Sequence, residues 1–157
     1  MKASESCKIQ VSGEENMAFR SQLVIRFGDI DRAGIVYYPR FLHYFHVALE
    51  EFFERELGVA YHAVIDTHRI GLPTVHLEVD FSRPFSYGDN IELEVCVLKV
   101  GRTSITFGYR VFKKGETKPW ISGHNVTVCL DMDRFQKQEI PSWLRQLLEQ
   151  KIRGGRK

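Results

Sequence analysis

Two carboxylates one residue apart, Asp29 and Asp31, stand in the polar segment Gly28-Asp29-Ile30-Asp31-Arg32-Ala33-Gly34, and an aromatic-rich stretch opens soon after at Pro39. Small and polar residues of this kind form loops, and Pro is favoured in the first turn of a helix. The first N–H groups of a helix have no partners within it and point outward from a partly positive end. Such an end can bind the oxygen of a polarised carbonyl. A carboxylate a few residues upstream can then attack that carbonyl or activate a water beside it. Gly34 lets backbone or substrate approach closely. The same Asp-x-Asp pattern also makes turns, N-terminal caps and sometimes cation sites, and on local physics alone these plainer roles are the commoner ones.

The elements that must position this loop are read from periodicity. Arg20 to Phe27 is a short β-prone run ending at Gly28. Beyond Pro39, the residues Phe41, Tyr44, Phe45, Ala48, Leu49, Phe52, Phe53 and Leu57 recur at steps of three and four, which predicts a helix, and Gly58 supplies its stop. So many apolar positions, mostly aromatic, place this helix largely buried against a sheet. The second half alternates instead. Leu77, Val79 and Phe81 form one run, Ile91 to Val97 a second, Ile105 to Val111 a third, and Val126, Val128 and Leu130 a fourth. This is the two-residue period of half-buried strands. Turn signals at Tyr87-Gly88-Asp89-Asn90, Val100-Gly101-Arg102 and Lys114-Gly115-Glu116 separate the runs, and Pro141 opens a short amphipathic helix through Trp143, Leu144, Leu147 and Leu148. The order predicts an α+β fold, a long central helix wrapped by a curved antiparallel sheet of about five strands. Two such sheets set edge to edge would protect their edge strands, so a homodimer or homotetramer is expected.

At 157 residues the chain reads as one domain over 19–150, with a flexible tail over 1–18 and a basic tail over 151–157. A net charge of +2 demands neither a nucleic-acid partner nor an anionic membrane. The basic tail lacks interleaved aromatics, so no nucleic acid is expected. No stretch is apolar for long enough to span a membrane, and Met1 to Phe19 has no apolar core of a secretory signal. Cys7, Cys96 and Cys129 are odd in number and lack C-x-x-C spacing, which suits a reducing cytoplasm.

The run Phe27-Gly28-Asp29-Ile30-Asp31-Arg32-Ala33-Gly34-Ile35-Val36-Tyr37-Tyr38-Pro39 resembles the signature of the 4-hydroxybenzoyl-CoA thioesterase family of hotdog-fold proteins. The resemblance continues into the helix and resumes at Phe81-Ser82-Arg83-Pro84-Phe85-Ser86-Tyr87-Gly88-Asp89 and at Val100-Gly101-Arg102-Thr103-Ser104, covering roughly residues 20 to 150. It implies hydrolysis of an acyl-CoA thioester to free acid and CoA without a cofactor. Asp31 falls on the family's catalytic carboxylate, as direct nucleophile or as general base. The backbone N–H of Tyr38 would meet the thioester oxygen, and Asp29 would order the loop. Arg102 and Ser104 fall where the family grips the nucleotide end of CoA, often from the neighbouring subunit; a solvated hairpin turn is the alternative. Tyr37, Tyr44 and Phe45 would line the acyl pocket for an aryl or a fatty acyl group, and His46 would either accept a hydrogen bond from a substrate hydroxyl there or line a different pocket.

The chain departs from the family pattern at three places. Arg32 stands where proline is usual, Thr103 where a basic residue occurs, and His46 where an aspartate meets the substrate's phenol, which puts 4-hydroxybenzoyl specificity in doubt. His43 and His46 are spaced to share a metal but show no third ligand, so no metal site is expected. His76 reads as a structural histidine, with a place in the pocket lining as the alternative. No G-x-S-x-G elbow is present. Two alternatives stand beside the main expectation: a thioesterase acting on an acyl-carrier protein, and a non-catalytic acyl-CoA or lipid-binding module on the same fold.

Overall fold

The computed structural model describes residues 18–152. The expected N-terminal tail lies outside these residues except for Ala18, as do 153–157 of the expected basic tail. The chain opens with strand β1 (Phe19–Val24), a single 3-10 turn (Phe27–Asp29) and helix α1 (Arg40–Glu56). Helix α2 (Tyr61–Asp66) and the two-residue strand β2 (Ile70–Gly71) lead to β3 (Thr74–Phe81). Three long strands follow, β4 (Asn90–Val100), β5 (Ser104–Lys113) and β6 (Ile121–Val128). The chain then passes through β7 (Leu130–Asp131) and β8 (Gln136–Lys137) into helix α3 (Ser142–Glu149).

Five strands form one sheet in the order β1-β4-β5-β6-β3, and every neighbouring pair is antiparallel. β2, β7 and β8 make a small second sheet, of which the sequence reading had only Leu130, as the end of its fourth run. Strands of two residues are too short to show a period, and α2 has only six.

At 17 residues α1 is the longest of the three helices. Its buried stripe is Phe41, Tyr44, Phe45, Ala48, Leu49, Phe52 and Phe53, the residues whose spacing predicted it. Gly58, at a φ of 71°, turns the chain away at its C-terminal end. The stripe packs on β1 and β4 and joins the core centred on Leu93, Val95, Phe107 and Val111. Burying each large side chain of this set contributes about 1.5–3 kcal/mol. Phe45 stacks on Tyr109 with ring centroids 4.6 Å apart. Phe53 meets Tyr61 and Phe107 at 5.1 and 6.1 Å.

Two faces differ from the sequence reading. On β6 the inward residues are Asn125 and Thr127, both buried, whereas Val126 and Val128 are only half-buried. The polar pair is tolerated because it is hydrogen-bonded: Asn125 donates to Thr74 Oγ1 at 2.9 Å and accepts from the Tyr109 hydroxyl at 3.2 Å. β3 is exposed along most of its length instead of half-buried, since it is an edge strand paired only with β6. Beyond α3, Lys151 pairs with Glu56 at 2.8 Å and Ile152 forms a parallel bridge with Val97.

Candidate active site

The polar segment before α1 folds as a small closed hairpin. Ile30 and Val36 form an antiparallel bridge. The Asp31 N–H donates to the Ile35 carbonyl at 2.9 Å, and the Gly34 N–H donates to the Asp31 carbonyl at 3.0 Å. Gly34 supplies the positive φ, 78°, that the turn demands. One Asp31 oxygen, Oδ1, accepts the Ala33 N–H at 2.8 Å. The other makes no hydrogen bond among the described residues, and the side chain is half-buried.

Asp29 is committed to architecture. Its carbonyl accepts the Tyr37 N–H at 2.8 Å, its carboxylate accepts the Arg26 N–H at 3.2 Å, and Arg40 Nε lies 3.4 Å away. Burial, reinforced by the nearby Asp29 carboxylate, holds the Tyr44 phenol well above its ordinary range. The hairpin is thus tied to the first turns of α1 from two directions.

The start of α1 has one open donor. From Val36 to Leu42 the backbone N–H groups of Val36, Tyr37, Arg40, Phe41 and Leu42 each reach a carbonyl, and Pro39 has none to give. The N–H of Tyr38 alone has no acceptor among the described residues. The Tyr38 ring is 63% exposed, beside Tyr37 and edge-on to Phe81 of β3 at 6.4 Å.

One helical turn past Tyr38, a cavity of about 360 Å³ opens along α1. Leu42, Phe45, His46 and Leu49 form its helix wall, Tyr61 closes one side, and Leu72, Thr74 and Leu77 another. Its floor is the hydrogen-bonded group Tyr109 and Asn125, with Thr127 beside them. Burial pushes the phenols of Tyr61 and Tyr109 up, so both remain hydrogen-bond donors at neutral pH. His46 Nε2 meets Glu50 at 3.0 Å, and its ring lies edge-on to Tyr61.

The structure therefore places Asp31 in the hairpin, Tyr38 between the hairpin and α1, and His46 in the cavity along α1. Tyr37 lies at the hairpin but does not line the cavity, and Tyr44 is in the core. Arg102 and Ser104 are elsewhere. Ile25, beside the hairpin, bonds to Asp89 at the first end of β4, whereas Arg102 follows the last residue of that 11-residue strand. At 3.4 Å per residue the two ends are roughly 30 Å or more apart. There Arg102 pairs with Glu139 at 2.8 Å in solvent. Tyr61, Tyr109, Asn125 and Thr74 were missed by sequence reading; the one available signal was an amide among the strand residues of β6.

Comparison with known proteins places the chain in a family. The model of the thioesterase-like superfamily matches residues 25–148. A 1,4-dihydroxy-2-naphthoyl-CoA hydrolase from Synechococcus elongatus is 32% identical over 132 residues, covering 83% of this chain and 95% of that one. The structure of a gentisyl-coenzyme A thioesterase superposes with a TM-score of 0.74 at 28% identity, covering 83% of this chain and 99% of the other. A thioesterase-superfamily protein from Jannaschia shares the fold with a TM-score of 0.81 at 24% identity, over 91% and 99% of the two chains. The relatives from Synechococcus elongatus and Nostoc punctiforme carry the dihydroxynaphthoyl name and not the 4-hydroxybenzoyl name that the sequence motif resembles.

Proposed function

The chain belongs to the thioesterase-like superfamily, and from that premise we propose that its hotdog-type fold hydrolyses an acyl-CoA thioester at Asp31. The enzyme is an acyl-CoA thioesterase, releasing free acid and CoA. The observation that supports the site assignment is the Tyr38 N–H, which alone among the N–H groups of 36–42 has no acceptor among the described residues and which follows directly on the hairpin whose carboxylate keeps one unbonded oxygen. The Tyr38 N–H polarises the thioester carbonyl and takes the charge that builds on its oxygen. Asp31 either attacks the carbonyl carbon, expelling CoA thiolate and leaving an anhydride for water to cleave, or draws the proton from an attacking water. Both routes use the same oxygen and need no cofactor.

The acyl group extends from Tyr38 along α1 into the cavity. Aromatic walls from Phe45, Tyr61 and Tyr109, with Asn125 and His46 as polar points, suit an aryl group bearing hydroxyls. The names of the relatives point the same way.

The active assembly contains at least two copies. β3 leaves one edge unpaired and exposes Val75, Leu77 and Phe81, the last in contact with Tyr38. Pairing two β3 edges covers this strip. It also brings the partner's Arg102 and the partner's Ser104 to the end of the sheet that holds Asp31, where they bind the phosphates of CoA.

Thiol release from aryl, short-chain and long-chain acyl-CoAs tests the reading. Turnover is expected with hydroxyaryl esters and lost in Asp31→Asn. Release only from acyl-carrier-protein esters would change the carrier, and tight binding without release would make the chain a binding module.

A further inference from the structure

On the outer face of the sheet, away from the cavity, three metal-ligating side chains converge. β3 and β6 pair with Glu78 opposite His124 and His76 opposite Val126. Residues two apart on a strand share a face, so His76 and Glu78 point the same way, and His124 faces them from the neighbouring strand. Their ligand atoms all lie within 4.8 Å of one another. The two imidazole rings are 5.6 Å apart at 42°. His76 and Glu78 are exposed and His124 half-buried. Among the described residues none of the three makes a side-chain hydrogen bond or ion pair; their only neighbours of note are each other.

We infer that His76, Glu78 and His124 bind a divalent transition-metal ion of the zinc type. Two imidazole nitrogens and one carboxylate oxygen are the three-ligand set of an open tetrahedral zinc site, with water in the fourth position. An ion about 2.0–2.2 Å from each ligand holds the ligand atoms roughly 3.3 Å apart. Reaching that spacing from the present one takes rotations of the side chains about their own bonds, which the exposed His76 and Glu78 are free to make.

The placement gives the ion a role. Leu77 lies between His76 and Glu78, and Asn125 follows His124; both point through the sheet to line the acyl cavity. A bound ion clips the edge strand β3 to β6 behind the cavity wall. It stands on the opposite face from Asp31's substrate, so it steadies the wall and does not touch the thioester. The inference stands whether or not the chain is a thioesterase.

The test uses the full-length, untagged, metal-stripped protein and Zn²⁺ or Co²⁺ alone. Calorimetric titration should give one saturable site per chain, with a melting temperature that rises with Zn²⁺ and does not respond to Mg²⁺. Affinity should fall at least tenfold in His76→Ala, in His124→Ala and in Glu78→Gln, and stay unchanged in His62→Ala, a remote surface histidine. Because His76 is exposed, its variant keeps the fold even if His124→Ala does not. Three results would overturn the inference: no saturable binding at micromolar metal, equal affinity in wild type and His76→Ala, or a thiolate-to-cobalt charge-transfer band, which would assign the ion to a cysteine.

Discussion

Asp31→Asn separates chemistry from architecture at one atom. The Asp31 side chain accepts one hydrogen bond, from the Ala33 N–H at 2.8 Å. The carboxamide oxygen of asparagine accepts the same bond. The other contacts that close the hairpin are made by backbone: Asp31 N–H to Ile35, Gly34 N–H to Asp31 and Tyr37 N–H to Asp29. The fold should therefore lose no more than about 1 kcal/mol, the difference between a charged and a neutral acceptor. The reaction should lose far more. An amide is neither a useful nucleophile nor a base at neutral pH, and removing such a group costs about 10²–10⁴-fold in kcat, which is roughly 2.7–5.4 kcal/mol of barrier. KM should hold, because the cavity and the Tyr38 N–H are unchanged. Steady-state thiol release with a hydroxyaryl-CoA, alongside thermal melts, reads both effects. A variant with an unchanged melt and kcat within tenfold of wild type would remove Asp31 from the chemistry.

Asn125→Leu takes the acceptor from the buried Tyr109 hydroxyl and should cost about 1–3 kcal/mol of stability; it should also lower kcat/KM for hydroxylated acyl groups more than for plain aryl ones in the same panel. Phe53→Ala empties a fully buried position between Tyr61 and Phe107 and should cost about 3–5 kcal/mol in denaturant unfolding. Burial raises the phenols of Tyr44 and Tyr109 above the unfolded value of 10.0, so their contribution to stability is fully present below pH 10 and is lost as pH rises beyond it; melting temperatures between pH 9 and 11 should fall, and less steeply in Tyr109→Phe. Val75→Asp puts a charge on the exposed edge of β3 without disturbing a single chain, and light scattering should show it shifted toward monomer.

What could be read from sequence divides by length scale. The buried stripe of α1 was legible because seven apolar residues repeat one helical period, and no other structure satisfies that spacing. β4 and β5 were legible from alternation. β6 was read with its faces reversed, because Val126 and Val128 look like the buried set. The true inward pair, Asn125 and Thr127, is stable only through partners on β3 and β5 that are distant in sequence. The loop carrying Asp31 was legible from its own chemistry, since the hairpin closes on itself within seven residues from Ile30 to Val36. The cavity was not, because its walls come from α1, α2, β3, β5 and β6 at once. The His76, Glu78 and His124 set was hidden for the same reason: register across two strands assembles it, and chain spacing does not.

The exposure of Tyr38 and Phe81 follows from this division. A rigid hairpin can fix a carboxylate and an N–H, but a site for a long, charged thioester also needs walls that exclude water and cations that hold phosphate. One copy of the chain leaves the aromatics at the hairpin exposed, although Arg32 and Arg40 lie there. Phe81 and Tyr38 sit at one end of β3, and Thr74 at the other. Through Thr127 and Ile105, Thr74 is in register with the start of β5, so it marks the end that carries Arg102 and Ser104. When two antiparallel β3 edges pair about a two-fold axis, the Thr74 end of each copy lies beside the Phe81 end of the other. In that arrangement the Asp31 hairpin of one copy faces the turn that carries Arg102 in its partner, and the exposed aromatics become wall. On the proposed pairing the exposed edge and the open hairpin are one feature, and a variant that breaks that pairing should raise KM for acyl-CoA before it loses stability.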